Sequence, residues 1–353
     1  VGEVLDFYIH LKLPDYNNDN VYMTKLALNN TLKGLQYVEN SAGVYNTEEI
    51  AGATHIDNAV TVDTVSAYAN GSQTVTFNLK YQNIKGTTGA VSAYLHFKAK
   101  VMPEAAAAGK TATAETKLDY TFSLDPTTSR TTSAVGVKVH TYAFSLAKLS
   151  DEQNAAGANL PLTNAGFTLY SDNTMTTPIK MVKVDATATT DAYYRPALTG
   201  ETDIVTEMAA NMGADQNTLL VRGLDAATYY LKETKVPAGY YAPKGGFAVQ
   251  LTGEREAVNE TLNGKLAAAS SFTATNATDN VLLNGTASVN GTEMNRLDAS
   301  LKNSSTPVLP TTGGVGTVMF TVIGLLCMGA ALWFFLFARR RREDEQEQNK
   351  TTL

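Results

Sequence analysis

Apolar side chains recur at every second position through most of the first 140 residues. Leu5, Phe7, Ile9, Leu11 and Leu13 form one series, and Val75, Phe77, Leu79 and Tyr81 another. Ala93, Leu95, Phe97, Ala99 and Val101 follow, then Leu118, Tyr120, Phe122 and Leu124. A period of two places such side chains on one face of an extended chain and leaves the other face polar. Gly, Asn, Asp and Pro punctuate the runs, while Thr, Val and Tyr fill them, as strands prefer. The pattern predicts an all-β chain built of antiparallel sandwiches.

Short helical pieces are expected at 23–35, 48–53 and 203–212, and a turn or short helix at 105–108. The run from Val135 to Lys148 is long enough to end one sandwich and begin the next, which sets a boundary near His140. A second set of strands is predicted at 166–171, 179–184, 219–221, 228–233, 246–251, 271–276 and 298–303. Residues 185–217 read as an inserted loop with its own helix. The expected division is a first sandwich over 1–140, a second over 141–303, a linker over 304–308 and a C-terminal segment over 309–353.

That last segment sets the compartment. Residues 315–338 carry no charge and include Trp333, Phe334, Phe335 and Phe337. A membrane span needs about 20 such residues. Arg339, Arg340, Arg341 and Arg342 follow at once, so the tail 339–353 is expected in the cytoplasm and the preceding residues outside. The only cysteine, Cys327, lies within this run, so no disulfide can brace the exported part. The four histidines, His10, His55, His96 and His140, are scattered and give no metal-site spacing. A net charge of −6 with no basic stripe argues against nucleic acid as a partner. No Ser/His/Asp set or recognisable carboxylate pair points to a hydrolase, and no cofactor is implied.

Face assignment isolates three polar side chains. Lys148 shares a face with Tyr142, Phe144 and Leu146, Glu233 with Tyr229 and Leu231, and Asn303 with Leu297, Ala299 and Leu301. A lone buried charge costs several kcal/mol, so these groups should be neutralised, paired or consumed. An ordinary buried Lys–Glu pair is one outcome. Asn276 also sits near a strand end and competes with Asn303.

Three resemblances bear on these residues. Leu309-Pro310-Thr311-Thr312-Gly313, the apolar run and the arginines resemble, in this order, the LPXTG cell-wall sorting signal of Gram-positive surface proteins. The resemblance implies cleavage by sortase between Thr312 and Gly313. Thr312 would then pass to an amine of a peptidoglycan precursor or of a neighbouring pilin subunit. Membrane residence would precede sorting only, and the mature chain would be secreted and wall-anchored.

The stretch from Arg222 to Tyr240 (RGLDAATYYLKETKVPAGY) resembles the E-box of the collagen-adhesin B-type (CnaB, SpaA-like) pilin domain. The strand from Phe144 to Asp151 and the segment from Leu162 to Tyr170 are similar to that domain's opening. Ala227 stands where the family usually has Gly, and Val236 where Ala is common. The resemblance spans roughly residues 141–308 and implies an immunoglobulin-like sandwich closed by an intramolecular isopeptide bond. Lys148 would be the nucleophile, Asn303 the electrophile and Glu233 the acid–base helper, with loss of ammonia.

The segment from Val1 to Tyr16 (VGEVLDFYIHLKLPDY) resembles the start of the second domain of backbone fimbrial subunits. That family's lysine would lie at or before residue 1, and the chain, with neither Met nor signal peptide, reads as beginning part-way into a protein. Where an Asn-bearing strand would be expected, the sequence reads TAETKLDY over 113–120, so no bond is expected in this domain. The Tyr-Pro-Lys polymerisation motif is missing, and Tyr241-Ala-Pro-Lys244 is not that motif. Together the resemblances imply a non-enzymatic surface protein, a fimbrial subunit or wall-anchored stalk. The alternative is a non-polymerising adhesin that binds host matrix protein or glycan through a loop such as 185–217.

Overall fold

A computed structural model describes residues 1–14, 22–88, 92–108, 110–241, 243, 245–254, 265–275, 282–283, 287–305 and 321–337. Val1–Ser305 form one compact unit and Thr306–Leu353 another.

The first half of the larger unit is two facing sheets. In one, Ser92–Val101 pairs with Val4–Lys12 on one side and with Leu35–Tyr37 and Gly43–Tyr45 on the other. In the other, the order is Val135–Val139, Ala112–Phe122, Met23–Lys33, Ser72–Leu79, Val60–Val65, with Asp125–Thr131 also on Ala112–Phe122. The alternating residues meet as predicted: Phe7, Leu11, Phe77, Leu95 and Phe97 are buried in one core. Phe97 stands 5.3 Å from Phe7 and 5.4 Å from Phe77, within the range of favourable ring pairs.

Four local expectations are corrected. Residues 23–35 are not helical: Met23–Lys33 is the central strand of its sheet. Leu26, Ala27 and Leu28 are buried in succession, which hides the alternation and imitates a helical spacing. Residues 48–53 form bends and a turn, and 203–212 hold the short strands Ile204–Val205 and Glu207–Ala210. Residues 185–217 are likewise not a loop with a helix, because Tyr193–Pro196 pairs within the sheet beside Met181–Val184. The turn or short helix expected at 105–108 begins as the short 3₁₀ helix Pro103–Ala106. Tyr81, the last of its alternating series, opens the α-helix Tyr81–Thr88.

The second half is built mainly on two sheets, with a two-stranded ribbon of Gly253–Glu254 and Lys265–Leu266 in addition. The larger has the order Ile204–Val205, Met181–Val184, Tyr193–Pro196, Thr218–Leu224, Tyr142–Gln153, Arg296–Asn303, Leu282–Leu283. The smaller runs Glu207–Ala210, Ala165–Tyr170, Thr228–Lys235, Phe247–Gln250, Ser271–Ala274. Phe144, Leu146, Phe167, Leu231, Phe247, Leu297 and Leu301 fill the space between them. Two pairings depart from an all-antiparallel plan. Tyr193–Pro196 and Thr218–Leu224 pair in parallel at Tyr194 and Val221. Tyr142–Gln153 and Arg296–Asn303 are also parallel neighbours, with Lys148 opposite Leu301 and Ser150 opposite Asn303.

The buried apolar residues fall into two clusters, one drawn from Phe7 to Ala114 and the other from Phe144 to Leu301 together with Ala106. They meet where Ala106 packs into the second core and the Thr141 hydroxyl donates to Ala105 O at 2.9 Å. Gly223, at φ +75°, is required there, since a Cβ would stand 2.8 Å from that of Ala106.

In the smaller unit, residues 321–337 are helical, with Phe334 72% and Phe335 68% exposed. No helix among the described residues is long and apolar enough to cross a membrane. The rest of the predicted span, 315–320 and 338, lies outside the described residues, as do Leu309, Pro310, Thr311, Thr312 and Gly313 and the tail 339–353.

Candidate functional site

Three strands of the second sandwich bring polar residues into its interior. On Tyr142–Gln153 the inward positions are Phe144, Leu146, Lys148 and Ser150, all buried. On Arg296–Asn303 they are Leu297, Leu301 and finally Asn303. Parallel pairing of these two strands sets Lys148 and Asn303 two positions apart on one face. Glu233 arrives from the opposite sheet, on Thr228–Lys235, beside Phe167 of the neighbouring strand.

The three side chains meet. Lys148 is 0% exposed, Asn303 1% and Glu233 7%. Lys148 Nζ donates to Asn303 Oδ1 at 2.5 Å, and Asn303 Nδ2 donates to Glu233 Oε1 at 3.0 Å. The same Oε1 lies 3.8 Å from Lys148 Nζ, so one carboxyl oxygen faces both nitrogens. Asn276, the sequence competitor for Asn303, lies outside the described residues.

Burial governs the proton states. Loss of water pushes the Lys148 amine down to about 8, against the opposing pull of the Glu233 charge and hydrogen bond. Burial likewise raises the Glu233 carboxyl above its ordinary range, although Lys148 and the Asn303 amide favour the anion. Glu233 Oε2 is buried with no hydrogen-bond partner among the described residues. A neutral carboxyl tolerates that better than a carboxylate does. Both shifts run toward the uncharged forms, a neutral amine and a neutral carboxyl, with the amine facing an amide.

One supporting residue was not visible in the sequence pattern. Asn217, 5% exposed, holds the Lys148 backbone from both sides: its carbonyl accepts from Lys148 N at 2.8 Å, and its Nδ2 donates to Lys148 O at 2.9 Å. It precedes its strand in a turn, where alternation carries no information. Elsewhere in this half, Arg222 is buried in an ion pair with Glu293 and lies 5.7 Å from the Tyr193 ring centre. The first half contains no comparable site: among its described residues no lysine is buried. Of its buried amides, Asn30 accepts from Thr116 at 2.5 Å and Gln73 from Tyr37 N at 2.7 Å.

Comparison with known proteins gives two sequence matches. Residues 150–265 match the SpaA family, described as a prealbumin-like fold domain, and residues 301–345 match the LPXTG cell wall anchor motif. Glu233 falls in the first segment and Asn303 in the second, while Lys148 lies just before the first. No curated protein matches the chain.

Similar solved structures include the group B streptococcus pilus 2b backbone protein, at 16% identity and TM-score 0.47, covering 86% of this chain and 94% of that one. The T6 backbone pilin of serotype M6 Streptococcus pyogenes is 15% identical with TM-score 0.48, over 87% of this chain and 66% of that one. Domains D2 and D3 of the major pilin SpaD from Corynebacterium diphtheriae are 17% identical with TM-score 0.45, over 86% and 94%.

Proposed function

We propose that the chain, which carries an LPXTG cell wall anchor and a SpaA-type prealbumin-like domain, is a structural subunit of a surface fimbria or stalk. Its second sandwich would be locked by a Lys148–Asn303 isopeptide bond. The observation that carries this reading is the buried contact of an amine, an amide and a carboxyl at 2.5 and 3.0 Å.

The reaction follows from that geometry. The Lys148 Nζ lone pair attacks Asn303 Cγ and a C–N bond forms. Glu233 Oε1, which faces both nitrogens, gives a proton to Nδ2 and takes one from Nζ. The Cγ–Nδ2 bond breaks, ammonia leaves, and the carboxyl ends as it began. An amide is a poor electrophile, so the rate must come from placement, where effective molarities of about 10⁵–10⁸ M are available. The step is single-turnover and self-directed, so the protein is not an enzyme in the ordinary sense.

The C-terminal segment supplies the attachment. Sortase would cut between Thr312 and Gly313 and pass Thr312 to an amine of a peptidoglycan precursor or a neighbouring subunit. The run 315–338 would hold the precursor in the membrane until then. The adhesin alternative loses its particular support, because 185–217 contributes strands to the sheets.

Denaturing gels of wall extracts test the functional reading. Covalent ladders containing this chain are expected, and Thr312→Ala should abolish both ladders and wall attachment. A single wall-linked band of monomer mass would contradict polymerisation and leave a stalk. Unchanged attachment in the Thr312 variant would contradict the sorting site.

A further inference from the structure

Asn303 is the last residue of its strand, and the chain beyond it leads toward the anchor. Strand ends fray, and parallel pairs hold slightly less well than antiparallel ones. A reacting group in that position needs something to hold it. The two residues that follow are both held by one carboxylate: Ser304 Oγ donates to Asp151 Oδ2 at 2.7 Å, and Ser305 N donates to Asp151 Oδ1 at 3.1 Å. Asp151 belongs to the strand that carries Lys148, three positions further on. A backbone contact adds to the grip, Tyr241 N donating to Ser304 O at 3.0 Å.

We propose that Asp151 is the positioning residue of the Lys148–Asn303 reaction: by clamping Ser304 and Ser305 it fixes the register that presses the Asn303 amide onto the amine. The inference rests on the cross-link proposed above. The clamp spans the reacting pair like a splint, with Lys148 and Asp151 on one strand and Asn303 and Ser304 on the other. The hydrogen bond from Ser304, foremost, holds the Asp151 carboxyl below the ordinary aspartate range, as expected of an acceptor in use. Asp151 touches no reacting atom and handles no proton of the reaction.

The test is the rate of closure when chain 1–308, assembled by chemical synthesis and ligation under denaturing conditions so that it has never folded, is diluted from denaturant and sampled by intact mass. That length contains the whole compact unit Val1–Ser305. Asp151→Ala is expected to slow closure about ten- to hundredfold, the usual cost of a small misplacement of reacting groups. Asp151→Asn keeps an oxygen for the Ser305 N–H and a partner for the Ser304 hydroxyl, so it should close within about threefold of wild type. Ser304→Ala should fall between them. Closure of Asp151→Ala at the wild-type rate overturns the proposal, and so does equal slowing of Asp151→Asn, which would make charge the agent. Near-ultraviolet circular dichroism of each variant combined with Lys148→Ala reports the fold without the bond. If Asp151→Ala fails to fold there, Ser304→Ala decides: slowed closure supports the clamp and unchanged closure overturns it. A wild-type chain that never loses ammonia overturns the cross-link itself, an outcome distinct from all of these.

Discussion

Replacing Glu233 with alanine is expected to leave the chain at its full sequence mass and to lower the melting temperature of the second sandwich by about 10–20 °C. Lys148 and Asn303 stand 155 positions apart, so their bond would close a very long loop in the unfolded chain. Chain-entropy arithmetic gives a loop of that size about 5 kcal/mol of stabilisation. For a sandwich of this size each kcal/mol moves the melting temperature by about 2–4 °C. The substitution leaves Lys148 and Asn303 in place and removes only the group proposed to move protons. Calorimetry paired with intact mass separates the possibilities. A bond that still forms would show that Glu233 has no part in the chemistry. A lost bond with an unchanged melting temperature would show that the cross-link contributes nothing to stability.

The second large effect is mechanical. Tension on a wall-anchored stalk enters the second sandwich near Tyr142 and leaves past Ser305. Because the opening and closing strands are parallel neighbours, that load shears them along their length. With the bond in place the load crosses from Lys148 to Asn303, and the chain between them bears none of it. Without the bond, unfolding would release about 500 Å of chain, at about 3.3–3.6 Å per extended residue. Single-molecule pulling on the two ends of Val1–Ser305 should therefore show one unfolding event in wild type, from the first sandwich. In Asn303→Ala it should show two. A wild-type trace with two events would mean that the second sandwich is not locked, and one with none would mean that the first sandwich is locked too.

The strands were legible because most of them bury one face. Phe7 and Leu11, or Leu95 and Phe97, sit in the core as the period of two requires, although His96 between the latter pair is buried as well. Met23–Lys33 was not legible for the converse reason. As a central strand it buries Leu26, Ala27 and Leu28 in a row, and its register shifts between Met23 and Lys25. Glu207–Ala210 is too short for any period to show. Lys148, Glu233 and Asn303 stood out because each breaks an apolar face, a signal that needs no knowledge of which strands adjoin. Asn217 and the Asp151 clamp act on backbone groups and the Ser304 hydroxyl near strand ends, where no periodic pattern reaches. The parallel pairing that brings Lys148 to Asn303 is a property of topology, and two strands 155 positions apart do not announce it.

The most direct test of the central claim is the intact mass of recombinant residues 1–308 measured under denaturing conditions. A side-chain amine that displaces an amide nitrogen releases one ammonia, so the account predicts a mass about 17 Da below that of the sequence. Peptide mapping should find Lys148 joined to Asn303. A chain at its full sequence mass would mean that Lys148 and Glu233 are an ordinary buried ion pair and that the second sandwich has no covalent lock.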